Sequence, residues 1–295
     1  MATIVATTTW NSIDHAEIFL AHYRKLGAGR VLVMDYDSTD GTAEMVGSCE
    51  WQDFVTSVPF PGLAGLDSSN EMLGIAAATG SDDWCLFCDP DELLVTPSMR
   101  IDELAAAGEA AGTDWFSIPR FNVTAPRSHA KTAPERLTAL DGLDLRIDRR
   151  VTRAGAAEIP KMELVPPWIY TAVLGKVFVR VGATYAIGEG DHSAKGKRNG
   201  GAEAPAGAYL LHYPFRRYET FAEKIARARL GFEKNPHLSE GHGWQLRRWI
   251  RMAQEGTLRA EYDAQFVDDE EVARRLADGT LCRDSNIRRF HGTAQ

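Results

Sequence analysis

The sequence has few cysteines, no long apolar segment and a deficit of positive charge. Four cysteines among 295 residues are too few for a disulfide scaffold. No apolar run approaches the roughly 18–20 residues that a membrane-spanning helix needs. Residues 1–10 lack the basic and long apolar regions of a secretory signal. These absences predict a cytoplasmic protein without a transmembrane segment, and they leave contact with a membrane surface open.

The balance of charged residues is acidic. The chain has 33 lysines and arginines against 41 aspartates and glutamates, which gives a formal net charge of −8. Neutralising the phosphates of a nucleic acid needs a surplus of cations, so we expect no nucleic-acid partner. A small anionic ligand stays compatible with this charge, because a bound metal ion can supply positive charge locally. No residue pattern indicates an oligomeric state.

One pair of cysteines, Cys85 and Cys88, has C-x-x-C spacing inside an apolar run. A zinc site would need a second pair or histidines at ligand spacing, and the sequence has neither. On a strand, positions three apart point to opposite faces, which is poor for shared ligation. The pattern therefore predicts buried, reduced thiols.

The first half of the chain alternates short apolar strands with amphipathic helices. The predicted strands cover residues 3–8, 30–34, 54–58, 84–88 and 114–121, and the predicted helices cover 14–26, 41–47, 68–79 and 101–111. Ser68 and Glu71 match a capping box at the third helix. This order predicts an α/β fold with a mixed, mainly parallel sheet flanked by helices. Ligands of such sheets bind outside the carboxyl ends of the strands.

The second half is less regular. We expect loops at residues 125–145 and 187–207, strands at 174–181 and 208–211, and helices at 218–232 and 244–254. The prediction is a catalytic domain over residues 1–215 with a helical extension, 216–295, packed on it. The basic and aromatic residues of the C-terminal helices could face an anionic acceptor, a membrane surface or a partner subunit, but we interpret them as solvated helix faces. These residues are Arg216, Arg217, Arg227, Arg229, Trp244, Arg247, Arg248 and Trp249.

Two predicted strands end in clustered carboxylates. The first cluster is Asp35, Asp37 and Asp40, and the second is Asp89, Asp91 and Glu92. Turn and capping chemistry explains Ser38 to Thr42 but not Asp35, which lies at the end of an apolar strand. Two aspartates separated by one residue can project toward one hard divalent cation. The sequence therefore favours a metal site at the second cluster.

In this order the two clusters resemble motifs of the family 2 glycosyltransferases. Residues 35–42 match D-x-x-S-x-D-G-T, and residues 89–92 match the D-x-D-E segment. The resemblance covers residues 3–121, and a weaker resemblance continues to about residue 225. It implies a GT-A fold, a nucleotide-sugar donor of UDP, GDP or dTDP type, Mn²⁺ or Mg²⁺, and an acceptor hydroxyl.

The resemblance also implies roles for individual residues. Nucleotide contacts fall on Thr7, Thr8, Thr9, Asp35, Asp37, Asn70 and Asp89. Asn70 lies where the family often has an Arg-Asn pair, but Ser69 replaces the arginine. Asp91 is placed on the metal that bridges the diphosphate, with Asp89 near the ribose or the metal.

The remaining candidates come from the second half. His212 is the favoured third metal ligand, since His212-Tyr213 precedes a helix with a late lysine in related bacterial sequences, and His192 competes for this role. An inverting transfer needs a general base, and the Gly-flanked loop offers Asp191 or Glu189. Lys176, on a predicted strand, is a candidate for the phosphates.

Three other functions fit parts of the same pattern. Asp35-x-Asp37-x-Thr39 also matches the D-x-D-x-T of haloacid-dehalogenase-like phosphatases, in which the first aspartate is the nucleophile. That motif usually lies on the first strand, and it leaves residues 89–92 unexplained. A nucleotidyltransferase would share the sheet and the metal. A non-catalytic module that binds a nucleotide-sugar or a glycan is the third alternative.

Overall fold

The computed structural model describes residues 2–60, 67–80, 83–130, 143–150, 167–198, 201–234 and 243–292. Seven strands form the large sheet: β1 (Thr3–Thr9), β2 (Arg30–Asp35), β3 (Val55–Val58), β4 (Trp84–Phe87), β6 (Trp115–Ile118), β9 (Lys176–Arg180) and β12 (Ala202–Glu203). Their order across the sheet is β12-β6-β9-β4-β1-β2-β3. Strand β9 runs antiparallel to both neighbours, and all other neighbouring pairs are parallel. The mixed, mainly parallel sheet of the predicted fold is confirmed.

A second sheet lies beside the first. It contains β5 (Glu92–Val95), β7 (Arg120–Thr124), β8 (Leu145–Ile147), β13 (Tyr209–His212) and β14 (Leu281–Arg283), in the order β14-β8-β7-β13-β5. The predicted single strand over 114–121 is wrong, because β6 and β7 flank Pro119 and belong to different sheets. Proline lacks the N–H that a continuous ladder would need, and the chain changes sheet there.

The predicted loop over 187–207 contains more structure than expected. Strand β10 (Thr184–Ile187) pairs with β11 (Ala194–Gly196) in a hairpin, and β12 adds an edge strand to the large sheet. Residues 199–200 of this predicted loop, and 131–142 of the other one, lie outside the described residues. The C-terminal part is mostly helical, although β14 joins the second sheet. The division into residues 1–215 and 216–295 stays a prediction.

Ten α-helices cover much of the rest of the described chain. They are α1 (Ile13–Lys25), α2 (Thr42–Val46), α3 (Ser68–Thr79), α4 (Asp102–Ala111), α5 (Arg127–Ala130), α6 (Tyr218–Lys234), α7 (Trp244–Gln254), α8 (Leu258–Asp263), α9 (Asp269–Ala277) and α10 (Asn286–His291). The capping box at Ser68 is wrong by one residue: the carboxylate of Asp67 accepts the hydrogen bond from the Asn70 amide at 3.3 Å. None of the described helices combines the length and apolarity needed to cross a bilayer.

Apolar side chains cover both faces of the large sheet. Phe19 and Tyr23 of α1 pack on one face, and Met72 of α3 packs on the other. Cys85 and Cys88 are free and buried, one in each core, as the alternation along β4 predicts. The helices therefore leave the carboxyl ends of β1, β2 and β4 as the open edge of the sheet.

Candidate functional site

A crevice with two lobes lies at the carboxyl ends of β1, β2 and β4. The first lobe has a volume of about 540 Å³, and Trp10, His15, Tyr36 and Arg227 are among its lining residues. The second lobe has a volume of about 380 Å³ and lies toward Asp191. Seven residues line both lobes: Thr8, Asp89, His212, Pro214, Phe221, Lys224 and Leu246. The lobes are thus two halves of one site.

The turn Asp89-Pro90-Asp91 lies at the junction of the lobes and joins the two sheets. Before the turn, the amide of Cys88 donates to the carbonyl of Ala6 in β1 at 3.1 Å. After the turn, the amide of Tyr213 donates to the carbonyl of Asp91 at 2.8 Å. Backbone hydrogen bonds to both sheets therefore fix the two aspartates.

Asp91 faces His212 across a short gap. The Nε2 atom of His212 lies 3.5 Å from Oδ2 of Asp91. On the other side of the ring, Nδ1 lies 2.8 Å from Oδ1 of Asn122. The amide of Asn122 is oriented by its Nδ2, which donates to the carbonyl of Ile169 at 2.9 Å. Nδ1 of His212 therefore carries the proton, and the lone pair of a neutral ring lies on Nε2, toward Asp91.

A lone pair and a carboxylate repel each other unless a cation lies between them. A proton on Nε2 is one such cation: burial opposes ionisation of Asp91, but His212, with Lys224 and His15, outweighs burial and holds the pKa of this carboxyl well below its usual range. A metal ion is the other. Oδ1 of Asp91 is buried and has no hydrogen-bond partner. The gap therefore fits a metal ion in place of the proton.

The donor set narrows the choice of metal. Donor atoms of Asp91, Glu92 and His212 lie within 4.8 Å of one another. Glu92, however, accepts hydrogen bonds from Arg120 and from the amide of Asp89. Within this group of described residues, Asp91 and His212 are thus the two left to hold a metal, with further ligands from water or phosphate. One carboxylate and one imidazole suit Mn²⁺ better than Mg²⁺, which prefers oxygen ligands.

Lys176 lies buried at the start of β9 and bridges two carboxylates. Its Nζ is 3.0 Å from Oδ2 of Asp89 and 3.5 Å from Oδ2 of Asp191. Burial opposes its charge, but Asp89 and Glu92 raise the pKa of Lys176 above its ordinary value. Partial burial opposes ionisation of Asp89, and Lys176 outweighs it and lowers the pKa. Asp89 is therefore neutralised by Lys176 in this structure, and its role as a metal ligand stays a prediction.

Asp191 lines the second lobe, and its carboxyl is held in place. Oδ1 accepts a hydrogen bond from the hydroxyl of Ser69 at 2.5 Å. Burial raises the pKa of Asp191, although Lys176 pulls it down. Glu189, the alternative base, is exposed and is not among the residues that line the lobes. His192 lines the second lobe, where its Nδ1 lies 2.7 Å from the carbonyl of Gly175.

Asn70 connects helix α3 to strand β10. Its Oδ1 accepts from the amide of Ile187 at 2.8 Å, and its Nδ2 donates to the carbonyl of Ile187 at 3.0 Å. Asn70 is not among the lining residues of either lobe. It joins α3 to the end of β10, directly before the segment that carries Asp191. Its contact with a nucleotide stays a prediction.

Two carboxylates of the first acidic cluster, those of Asp35 and Asp40, accept hydrogen bonds within the protein. The carboxylate of Asp35 accepts from the amide and the hydroxyl of Ser38. Asp40 accepts from the amide of Ile13 at 3.0 Å and from the hydroxyl of Thr42 at 2.6 Å. Asp37 is exposed, with a left-handed φ of 58°. The cluster thus fastens the start of α1, next to the first lobe.

The three consecutive threonines at the end of β1 differ in whether they line the crevice. Thr8 and Thr9 line the first lobe, and the side chain of Thr9 has a buried Oγ1 without a hydrogen-bond partner. Thr7 is buried and, like Asp35 and Asp37, is not among the lining residues. Nucleotide contacts by these three residues stay predictions.

Helix α6 and the residues next to it line the crevice, which their sequence pattern alone does not predict. Arg216 is 6% exposed and lines the first lobe, and Trp249 is 5% exposed and lines the second. The interpretation as solvated faces is wrong for Arg216 and Trp249, whereas Arg229 is exposed as that interpretation expects. Lys224 and Arg227 also line the crevice. The helical spacing of these cations gave a signal, but only the packing of α6 against the sheet edge shows which face turns inward.

Comparison with known proteins gives limited similarity. No family model matches the chain, and no curated protein does. Among solved structures, S. aureus TarS is 21% identical over 41% of this chain and 22% of its own, with a TM-score of 0.33. TarS 1–349 in complex with UDP-GlcNAc is 22% identical over 42% of this chain and 35% of its own, with a TM-score of 0.35.

A third similar structure is the mannosyltransferase PcManGT from Pyrobaculum calidifontis in complex with GDP-Man and Mn²⁺. It is 22% identical over 40% of this chain and 35% of its own, with a TM-score of 0.30. In these three comparisons the aligned part spans 22% to 35% of the other chain.

Proposed function

We propose that this protein is a metal-dependent glycosyltransferase that moves a sugar from a nucleotide-diphosphate donor to an acceptor hydroxyl with inversion. The observation that carries this proposal is the position of Asp91 and His212, since the metal-binding pair lies where the two lobes of the crevice meet. The sequence resemblance to family 2 glycosyltransferases supports the same function. In an inverting transfer the leaving diphosphate and the acceptor hydroxyl lie on opposite sides of the anomeric carbon, which suits a donor in one lobe and an acceptor in the other.

The two lobes differ in a way that suits the two halves of the reaction. Trp10, Tyr36 and Arg227 in the first lobe offer aromatic surface and positive charge to a nucleoside. The second lobe holds Asp191, which suits the acceptor side. Bound between Asp91 and His212, Mn²⁺ would act as a Lewis acid on the departing diphosphate.

Asp191 is the proposed general base. Its carboxylate takes the proton of the acceptor hydroxyl while that oxygen bonds to the anomeric carbon. The bond from this carbon to the phosphate oxygen breaks, and the nucleoside diphosphate leaves with the electron pair. Burial suits Asp191 to this role, because a raised pKa makes a carboxylate a stronger base. Ser69 and Lys176 orient it.

The phosphatase alternative receives no support from the geometry. Both oxygens of Asp35 accept hydrogen bonds from Ser38, so this carboxylate is not presented as a nucleophile. Asp37 is exposed and is not among the residues that line the crevice. The nucleotidyltransferase and the binding module are distinguished by experiment.

The test is a panel of UDP-, GDP- and dTDP-sugars with Mn²⁺, read by thermal shift and by release of nucleoside diphosphate. Wild type should be stabilised by one nucleotide and should release it, whereas Asp91→Asn should lose release by about two orders of magnitude or more. Asp53→Asn is the matched control, because this carboxylate is 78% exposed and pairs with Arg24. Release of pyrophosphate would indicate a nucleotidyltransferase, and binding without turnover a binding module. Absence of binding with every nucleotide and metal would overturn the proposal.

A further inference from the structure

One face of helix α6 forms a wall of the first lobe. The residues that it contributes are Thr220, Phe221, Lys224, Arg227, Ala228 and Gly231. Their spacing of three and four places them along a single stripe of the helix. Ala228 has a small side chain and Gly231 has none, so the lobe stays open where the helix passes over it. A long ligand could therefore lie along this stripe.

Arg227 lies near the end of the stripe toward β2. Its Cζ lies 4.1 Å from the centre of the Trp10 ring and 5.8 Å from that of Tyr36. Nη2 is 3.5 Å from the carbonyl of Tyr36, the outer limit of a hydrogen bond. Nη1 is buried and has no hydrogen-bond partner among the described residues. A guanidinium stacked on an indole presents its N–H groups at the edge, where a ligand can accept from them.

Lys224 lies one turn earlier, where the two lobes meet. It lines both lobes together with Asp89 and His212. In the part of the chain that the structure describes, its ammonium has no carboxylate within 4.0 Å. Lys224 is thus a cation at the end of the stripe nearest Asp91, available to an anionic ligand.

Two further cations of the first lobe, Arg216 and Arg217, lie just before α6 and have a different environment. Arg217 lies 3.7 Å from the buried carboxylate of Asp14, and Asp14 also raises the pKa of Arg216, which burial lowers to about 10. These two arginines help to join α6 to the start of α1. Lys224 and Arg227 are therefore the cations of this stripe that the fold leaves for a ligand.

We propose that α6 binds the nucleoside diphosphate directly and without metal, with Lys224 on the diphosphate and the stacked Arg227 on the nucleoside. This inference rests on the proposed function and adds to it a second source of positive charge. Metal would then be needed for transfer, whereas a substantial part of the nucleotide affinity would persist after its removal.

The experiment is calorimetric titration in EDTA with the nucleoside diphosphate selected by the panel, its monophosphate and its nucleoside. Wild type should bind the diphosphate in EDTA. Lys224→Met should weaken diphosphate binding by about tenfold and leave nucleoside binding within about twofold, since one charge-assisted contact is lost. Arg227→Met should weaken binding of all three ligands by about tenfold.

Arg229→Met is the control for the same helix and the same change of charge, because Arg229 is exposed and pairs with Glu233 at 2.9 Å. It should bind like wild type. Arg227→Lys should resemble Arg227→Met, because an ammonium lacks the planar stack. Thermal melting checks that each variant is folded.

Two outcomes would overturn the inference while leaving the proposed function intact. In the first, EDTA abolishes diphosphate binding by a wild type that is active with Mn²⁺. In the second, Lys224→Met and Arg227→Met bind in EDTA like wild type. If no nucleotide binds even with Mn²⁺, the proposed function itself is wrong.

Discussion

Nε2 of His212 faces Asp91 at 3.5 Å only because Asn122 accepts a hydrogen bond from the opposite nitrogen at 2.8 Å. Asn122 is 1% exposed and does not line the crevice, yet it decides which nitrogen has the lone pair. It therefore acts on the metal through His212.

Replacing Asn122 by Ala should weaken Mn²⁺ binding by roughly 10- to 100-fold, because the ring of His212 loses the partner that fixes its tautomer and orientation. Calorimetric titration with Mn²⁺ alone gives the affinity, and His212→Ala gives the value for a missing ligand. The melting temperature of each metal-free variant separates loss of the site from loss of the fold. Equal Mn²⁺ affinity in Asn122→Ala and wild type would contradict this role.

Lys176 should set the lower pH limit of catalysis. Its ammonium lies 3.5 Å from Asp191 and opposes the rise of the Asp191 pKa that burial causes. In Lys176→Met, the pKa of Asp191 should rise further, so the acidic limb of the kcat profile should move to higher pH. Lys195→Met, an exposed lysine, is the control. A profile that falls in height without moving along the pH axis would show that Lys176 does not tune Asp191.

His22 should make the fold sensitive to acid. Its ring is fully buried, Nε2 donates to the carbonyl of Leu94 at 2.8 Å, and Nδ1 lies 3.1 Å from Nε2 of His291 in α10. Burial, together with His291, lowers its pKa from 6.5 to about 3. The folded state thus needs a neutral ring, whereas the unfolded state takes up a proton below pH 6.5. This stabilisation is complete above pH 6.5 and is lost as the pH falls toward 3.

The measurement is the free energy of unfolding against pH for wild type and His22→Gln. In the acidic range wild type should lose about 1.4 kcal/mol more per pH unit than the variant, because one proton is linked to unfolding. Comparing slopes removes the contribution of the other buried histidines, which both proteins share. Parallel curves would contradict the prediction.

Two glycines inside helices should respond in opposite ways to alanine. A Cβ on Gly108 in α4 would lie 2.2 Å from Cη2 of the buried Trp84, whereas a Cβ on Gly74 in α3 meets nothing within 4 Å. Gly108→Ala should lower the free energy of unfolding by ~1–3 kcal/mol, because the cost of overpacking exceeds the gain in helix propensity. Gly74→Ala should stabilise by up to ~1 kcal/mol. Urea unfolding measures both, and a stabilised Gly108→Ala would show that the indole can move.

Local patterns of apolar and polar residues in the sequence are enough to predict most of the fold. The apolar run before Asp89 and the alternation of Cys85 and Cys88 indicated β4 and its two covered faces, because both depend on near neighbours in sequence. The same approach failed at Pro119. The proline was visible, but the second sheet that receives the chain after it forms through β13, far along the sequence.

The site was predictable only in part, for the same reason. The acidic turn is indicated by its residue types, whereas His212 is a candidate through the resemblance of His212-Tyr213 to related bacterial sequences, and its position 3.5 Å from Asp91 depends on the fold. The burial of Lys176 between Asp89 and Asp191 depends on three segments that meet only after folding. Lys224 and Arg227 look like any cations of a surface helix until α6 packs over the sheet edge.

The pairing of β13 has a consequence for how folding can be observed. His212 lies directly opposite Glu92 on β5 and directly opposite Asn122 on β7. Residues paired in this way share a face of the sheet, and a slip of one residue would turn the imidazole to the other side. The second sheet must therefore reach its exact register before the proposed Mn²⁺ site exists. The paramagnetic signal of bound Mn²⁺ would then be proportional to the number of molecules with correct strand register. Compact chains with misaligned strands would not contribute to this signal.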